Sequence, residues 1–383
     1  MSISNVKKLY LYRVFGSLSF THPIYVLYLL QKGLNMTEVM LLQAVFTAVM
    51  LIFSIPAGVF ADRIGRKPIM VISTFLYALA NVGYYLSNTF LEFFITEIII
   101  AIGVAMWEST WYAFLYDSLK EKKKEKYYKK AYGNLIAISG VSTAVASIFG
   151  VTLAEKFGYA ILFLITAISI GFGFIIQLFL REPQIKAKET DKWKHIIASF
   201  KSINGNKNVK TLMVYSSLLG AIFFCAFFLY QPYFVSIGVP LIAIGGVYAL
   251  MQLTFAFGGK SAHWLENRLG YKRSLVVASA LPAIIFLIMG STSLVWLSFL
   301  PMLIYFIDAF KSIVISDYVN KQIRSRERAT ITAMGFCMFN IFSSIINPIV
   351  GRITDMFGIN IALLTLSLGL VIILLGIIRT LKD

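Results

Sequence analysis

Charge is scarce in this sequence, and what there is lies heavily on one side. Only 14% of the 383 residues are Asp, Glu, Lys or Arg, and the 18 acids face 35 bases. Soluble domains carry about 25% charged and about 45–50% apolar residues. Here 58% are hydrophobic and the mean hydropathy is +0.78, which excludes a water-soluble enzyme. No long hydrophilic stretch leaves room for a nucleotide-binding or catalytic domain. Cysteine is nearly absent: Cys225 and Cys337 both lie inside apolar runs and cannot form a disulfide framework. The apolar runs are continuous rather than alternating, which argues against a transmembrane β-barrel. No metal-ligand spacing and no cofactor motif stands out. Gly258-Gly259-Lys260-Ser261 ends like a phosphate-binding loop, but Thr254 occupies the place of the first glycine. The amino terminus has no small-residue cleavage site behind a short apolar stretch, so its first run is expected to remain as a helix.

What is present is a series of apolar runs, each near the length of about 20 residues that one bilayer crossing needs. They predict helices at 9–30, 37–59, 68–87, 90–117, 131–153, 159–180, 209–232, 239–261, 273–290, 294–318, 329–350 and 359–380. A net charge of +17 raises nucleic acid as a partner, but its distribution points elsewhere. Lys32, Lys156 and Arg352 fall in loops on one side and Lys311 falls within a run. The remaining bases lie at the termini, Arg13 included, or in loops on the other side. Cytoplasmic loops collect Lys and Arg, so both termini are expected in the cytoplasm. Anionic lipid, not nucleic acid, is the expected partner of that charge. In the longest polar stretch, Trp193, Ile196, Ile197, Phe200 and Ile203 share a helical face, as in a helix lying on the membrane surface. The expected organisation is an amino-terminal bundle over 1–180, a basic linker over 181–208 and a carboxy-terminal bundle over 209–383.

The two bundles are copies. At an offset of 205, Tyr25 meets Tyr230, Tyr28 meets Tyr233, Gly33 meets Gly238, Gly65 meets Gly270 and Lys67 meets Lys272. At an offset of 200, Asp117 meets Asp317, Glu155 meets Asp355 and Gly158 meets Gly358. A finer repeat recurs every three helices: GVFADRIG (58–65), VTLAEKFG (151–158), HWLENRLG (263–270) and GRITDMFG (351–358). Six helices, a linker and six similar helices form the layout of a transporter built from repeats.

The segment GVFADRIGRKP (58–68) resembles the signature between the second and third helices of the major facilitator superfamily: glycine, three residues, Asp-Arg, one residue, then Gly-Arg-Lys. The resemblance spans the whole chain. It implies an all-α membrane protein, twelve transmembrane helices in two pseudo-symmetric six-helix bundles, working as a carrier by alternating access. It also implies a central site lined by the first, fourth, seventh and tenth helices. The drug-efflux-like branch is similar, although the fifth run, GVSTAVASIFG (140–150), lacks the glycine-proline pair many exporters of that branch carry. The signature carries over to Gly58, Asp62, Arg63, Gly65, Arg66 and Lys67. Gly58 permits close helix approach and Gly65 a tight turn. Arg66 offers a fork suited to a carboxylate, and Asp117 is its expected partner. Asp62 is expected to accept hydrogen bonds from a facing helix end. Together they form a conformational latch. In the second copy Asn267 and Tyr271 replace Asp62 and Arg66, so the latch is expected in the first half alone.

Ionisable groups at membrane depth cost about 2.5–3.5 kcal/mol at a helix centre and are functional candidates. Glu97 and Glu108 lie 11 residues apart, close to three full turns at about 100° per residue, and share a face of one predicted helix. Asp117, nine residues further, points to the opposite face. Asp308 repeats Glu108 at the offset of 200, and Lys311 lies one turn beyond it. Each half is therefore expected to hold one acid and one base: Glu108 with Arg13, and Asp308 with Lys311. His22, before Pro23, titrates near neutrality in water. Trp107, Trp111, Tyr305 and Phe306 are expected to line an aromatic cavity. These features suggest proton-coupled export of small amphipathic molecules by a monomer. The alternative is uptake of a polar or anionic nutrient held by Arg13 and Lys311.

Overall fold

The computed structural model describes residues 4–184, 206–323 and 328–380, and these are helical almost throughout. Leucine, isoleucine and phenylalanine in unbroken runs leave the backbone no water to bond with, and the α-helix satisfies it internally. The helices are α1 (Asn5–Gly16), α2 (Tyr25–Gln31), α3 (Met36–Ile64), α4 (Arg66–Leu86), α5 (Phe90–Glu108), α6 (Trp111–Lys120), α7 (Tyr128–Phe157) and α8 (Ala160–Leu178). They continue with α9 (Lys207–Ser236), α10 (Leu241–Leu269), α11 (Tyr271–Ser291), α12 (Leu300–Gln322), α13 (Arg328–Phe357) and α14 (Ile359–Thr380). Among the described residues, 11 helical segments are long and apolar enough to cross a membrane. Large apolar side chains such as Leu91, Phe149, Phe172 and Ile372 are exposed, as a lipid-facing surface requires.

Two expected helices are broken. The run 9–30 is interrupted over residues 17–24, around His22 and Pro23, leaving α1 and α2. Proline removes a donor and clashes with the preceding turn. Non-helical backbone at such depth survives only where protein groups satisfy it. Thr143 donates to the Ser17 carbonyl at 3.1 Å, Ser169 to the Phe15 carbonyl at 2.9 Å, and Thr166 accepts from the Phe20 amide at 3.2 Å. The run 90–117 is likewise divided, at Ser109 and Thr110, into α5 and α6. The angle drawn along one helix from Glu108 to Asp117 therefore does not apply.

The chain divides into two units. The first comprises Met1–Tyr28 and Val45–Thr190, in which α4 packs on α5 and α8, and α1 packs on α7 and α8. The second comprises Leu29–Ala44 and Asp191–Asp383, in which α10 packs on α12, α11 on α14 and α9 on α13. Residues 29–44 thus group with the second unit. The amphipathic face around Trp193 falls in 185–205, outside the described residues.

The duplication is written in the backbone. Among the described residues six glycines have positive φ: Gly33, Gly65, Gly158, Gly238, Gly270 and Gly358. These are the three glycine pairs that the two sequence offsets superpose.

Candidate functional site

Three groups of side chains stand out, and each lies within one unit. The first is at the junction of α3 and α4. Arg66 donates through Nη1 to Asp117 Oδ2, and the two side chains are only 16% and 12% exposed. Gly65, at φ 103°, turns the chain directly into α4. Glu182 sits over that turn, its carboxylate accepting from the Arg66 amide at 2.8 Å and the Lys67 amide at 2.6 Å. A carboxylate there meets unsatisfied amides and the positive end of the helix dipole. Lys67 reaches the Leu178 carbonyl at 2.7 Å. Asp62 and Arg63 are exposed on the last turn of α3.

The second group surrounds a cavity of about 680 Å³ between α9, α12 and α13 in the second unit. Lys311 is buried and donates to Asp308 Oδ1 at 2.5 Å, one helical turn away. Its ammonium also lies 5.1 Å from the Phe223 ring centroid, within the range of a cation–π contact. A Cβ on Gly220 would stand 3.2 Å from the Phe339 ring and 3.9 Å from Lys311 Nζ, so the absent side chain makes room for both. Phe224, Phe227, Phe339 and Tyr305 supply aromatic walls, with Ser216, Ser312 and Asn320 among the polar positions. Phe306 does not line this cavity; its ring packs on Phe257 at 5.9 Å.

The third group lines a smaller cavity of about 170 Å³ in the first unit, bounded by residues of α1, α4 and α5. Arg13, Trp107 and Glu108 all face it. The expected Arg13–Glu108 ion pair is not formed. The Arg13 guanidinium instead lies 5.8 Å from the Trp107 ring and 5.5 Å from the Trp111 ring. Those two indoles are stacked, their planes 13° apart and their centroids separated by 6.1 Å. Arg13 Nε and Trp107 Nε1 are buried without a hydrogen-bond partner among the described residues. Glu108 accepts a long bond of 3.4 Å from Trp111 Nε1.

A family model described as Major Facilitator Superfamily matches residues 11–346. The chain belongs to the major facilitator superfamily. A curated relative, the uncharacterized MFS-type transporter YxaM of Bacillus subtilis (strain 168), is 38% identical over 63 residues, 16% of this chain and 16% of its own length. Among solved structures, a mutant of the nucleoside transporter NupG superposes with a TM-score of 0.85 at 14% identity, covering 98% of each chain. A bacterial homologue of the human lysosomal transporter Spinster, inward-facing and unoccupied, gives 0.80 at 15% identity, covering 99% of this chain and 97% of that one. At these identities the likeness is one of fold. As a superfamily member the chain is a multi-pass membrane transporter.

Glu97 and Glu108 lie 11 residues apart on the unbroken α5, and each has its own partners. Glu97 is buried beside Tyr84, whose hydroxyl donates to it, and Tyr25, whose hydroxyl lies 3.4 Å away. Tyr28 donates to the Tyr84 carbonyl at 2.6 Å. In the second copy Leu297 stands at the position of Glu97 and Met289 at that of Tyr84. The hydroxyls of Tyr230 and Tyr233, counterparts of Tyr25 and Tyr28, are buried without a partner among the described residues. Two carboxylates went unread in the sequence as caps. Glu182 lies in the expected linker, and its signal in the sequence is an acid just past a helix end. Asp355 was seen only as a repeat position. It accepts from the Met36 amide at 2.9 Å and the Thr37 amide at 2.7 Å, and also from the Thr37 hydroxyl. That fixes the start of α3 beside Gly351, where a Cβ would stand 2.7 Å from the Met36 carbonyl oxygen.

Proposed function

We propose that this chain is a secondary active transporter of the cytoplasmic membrane, moving small organic molecules by alternating access with protons as the coupling ion. The observation that carries the reading is the cavity of about 680 Å³, where a buried lysine, paired with a half-buried aspartate, meets aromatic walls. Ligand pockets run from about 300 to 1,000 Å³, and ionisable groups at membrane depth mark transport paths. The breadth of the aromatic lining favours amphipathic compounds and, with them, export as in the drug-efflux-like branch. A second reading is uptake of a polar nutrient. It draws on the serine and asparagine positions of the same cavity and on the charged residues of the smaller one.

In this proposal α1 and α2 together make the first of twelve crossings, and two six-helix bundles are joined by the linker at 181–208. The transporter acts as a monomer, with anionic lipid against its basic side, and Arg66, Asp117 and Asp62 hold one of its alternating states. Both termini are cytoplasmic. In a background with Cys337 replaced by alanine, Lys32→Cys should react with an impermeant thiol reagent from outside, and Lys124→Cys should not. The reverse pattern would overturn the topology.

Glu108 supplies the coupling. Arg13 and Glu108 form no ion pair with each other here, and a pairing made in the alternate state would give the two states different proton affinities. A proton biases two states only by that difference. Glu108→Gln in proteoliposomes should abolish the response to a pH gradient while sparing substrate exchange. Transport that still follows the gradient would move the role to Asp308, His22 or Glu97.

A further inference from the structure

A basic pocket in the first unit carries a more specific statement about the membrane partner, and it rests on the topology given to the transporter above. We propose that this pocket binds the phosphate headgroup of an anionic glycerophospholipid from the cytoplasmic leaflet.

Three segments build it: the start of α1, the end of α6 with the turn behind it, and the start of α7. Its volume is about 390 Å³, within the ordinary range for a ligand pocket. The floor is fixed in place. Asn5 is buried and donates through Nδ2 to Ser118 Oγ at 3.1 Å and to the Arg181 carbonyl at 2.8 Å. Its Oδ1 accepts from the Arg181 amide at 3.0 Å. The start of α1 is thereby tied to α6 and to the residues after α8. The turn behind α6 is equally defined. The Lys124 amide donates to the Leu119 carbonyl and the Lys123 amide to the Lys120 carbonyl, both at 2.9 Å. This pair of bonds closes a helix end around a left-handed residue. Lys123 is that residue, at φ 54°, and Lys122 and Lys124 on either side of it both line the pocket.

Charge decides the class of ligand. Lys7, Lys122, Lys124 and Lys130 line the pocket, all four are exposed, and no acid lines it. None of the four makes an ion pair or a side-chain hydrogen bond among the described residues. Neighbouring bases differ: Lys8 donates to the Phe179 carbonyl and Lys67 to the Leu178 carbonyl. The nearby acids are committed elsewhere. Glu121 accepts from the Gln184 amide, Glu182 from the amides of Arg66 and Lys67, and Asp117 from Arg66. Cations gathered without a counter-ion repel one another, and an anion among them turns that repulsion into attraction. Lysine is a compact point charge and a common phosphate binder.

The rest of the lining decides the source of the phosphate. Val6, Leu119 and Ala131 share the pocket with the lysines. A free phosphate ion would leave them unused, whereas the glycerol backbone and first acyl carbons of a lipid would cover them. Tyr10 also lines it; its hydroxyl accepts from Asn134 Nδ2 at 3.3 Å, which leaves its own proton to donate to a phosphate oxygen. Tyr127 stands at the rim, and tyrosine is favoured at the level of lipid headgroups. The cytoplasmic leaflet is rich in anionic lipid, and basic pockets between helix ends on that side suit its headgroups.

Native mass spectrometry of the full-length protein in neutral detergent tests this, titrated with phosphatidylglycerol or with phosphatidylcholine of the same acyl chains. Phosphatidylglycerol should bind saturably and more tightly than phosphatidylcholine by roughly tenfold or more. Lys7→Gln, Lys122→Gln, Lys124→Gln and Lys130→Gln together should remove most of that preference. The control set Lys120→Gln, Lys123→Gln, Lys126→Gln and Lys129→Gln takes the same charge from the same region but outside the pocket. It should weaken binding by less than about threefold, because exposed charges at a distance are screened. All eight side chains are exposed, so both variants should fold. If the pocket set does not give monodisperse protein, Lys7→Gln with Lys124→Gln carries the same test. Equal loss in the two sets would show diffuse attraction and overturn the site, as would equal binding of the two lipids. Inorganic phosphate and glycerol 1-phosphate are the soluble probes. Tighter binding of either one than of phosphatidylglycerol, lost with the pocket lysines, would give the site to a soluble phosphate and overturn the lipid. Solute flux in proteoliposomes separates the two levels. Flux without selective lipid binding defeats this inference alone, and selective lipid binding without flux of any solute defeats the transporter reading.

Discussion

Replacing Arg66 with alanine is expected to destabilise the protein sharply and to slow transport at least tenfold. Its guanidinium is the ion-pair partner recorded for Asp117, and at 16% and 12% exposure little water reaches either side chain. Removing one member of a buried pair leaves an uncompensated charge, at about 3–5 kcal/mol; the residual exposure here places the effect toward the lower end of that range. Asp117→Asn should cost a similar amount for the mirror-image reason. The double variant Arg66→Ala with Asp117→Asn leaves no buried charge and should be more stable than either single variant. Thermal unfolding in detergent across this double-mutant cycle measures the coupling. Additive single effects would show that the pair is a contact of no energetic consequence. Glu182→Gln is the useful contrast: its carboxylate is exposed, and the amide oxygen can still accept from the amides of Arg66 and Lys67, so its effect should be much smaller.

Gly258→Ala should lower the yield of folded protein more than Gly246→Ala or Gly259→Ala in α10. A Cβ at Gly258 would stand 2.3 Å from the Phe306 carbonyl oxygen and 3.0 Å from its carbonyl carbon. The obstacle is backbone, which cannot rotate aside, so α10 and α12 must separate. Overpacking ordinarily costs about 1–3 kcal/mol, and more when main chain has to move. Small residues are what let helices approach in a membrane, where apolar association has little driving force. Gly246→Ala, on the same helix with no atom within 4 Å of the added methyl, should be neutral or stabilising by about 0.5–1 kcal/mol. Size-exclusion profiles and thermal unfolding of the two variants decide the matter. Equal behaviour would mean that the close approach at Phe306 relaxes freely.

The helices were legible because apolar runs of membrane length admit few other structures. The duplication was legible because glycine is needed wherever φ is positive, so Gly65, Gly158 and their copies stayed aligned. Breaks within runs were harder to see. Pro23 announced the first, but Ser109 and Thr110 look like ordinary members of an apolar run. Their hydroxyls compete for backbone bonds, and Ser109 does bond the Met106 carbonyl at 3.0 Å. The pairing of Arg13 with Glu108 follows from one acid and one base in the half, which does not encode direction, and the guanidinium packs beside two indoles instead. Lys311 and Asp308 sit one turn apart on a single helix, where spacing alone brings them within reach. Glu182 and Asp355 act through helix starts distant in sequence, and no local pattern states such a contact.

Tyr230 and Tyr233 bear on the history of the chain. Duplication makes two identical halves at once, and every difference between them is a later event. The first half holds a buried acid served by Tyr84 and Tyr25, while the second keeps Tyr230 for Tyr25 but has Met289 for Tyr84 and Leu297 where the acid would be. The halves have therefore ceased to be interchangeable. A protein assembled from two first halves would contain two such acids, and one assembled from two second halves would contain none. Ancestral symmetry persists in the main chain, in three pairs of glycines, after it has been lost from the chemistry of the side chains.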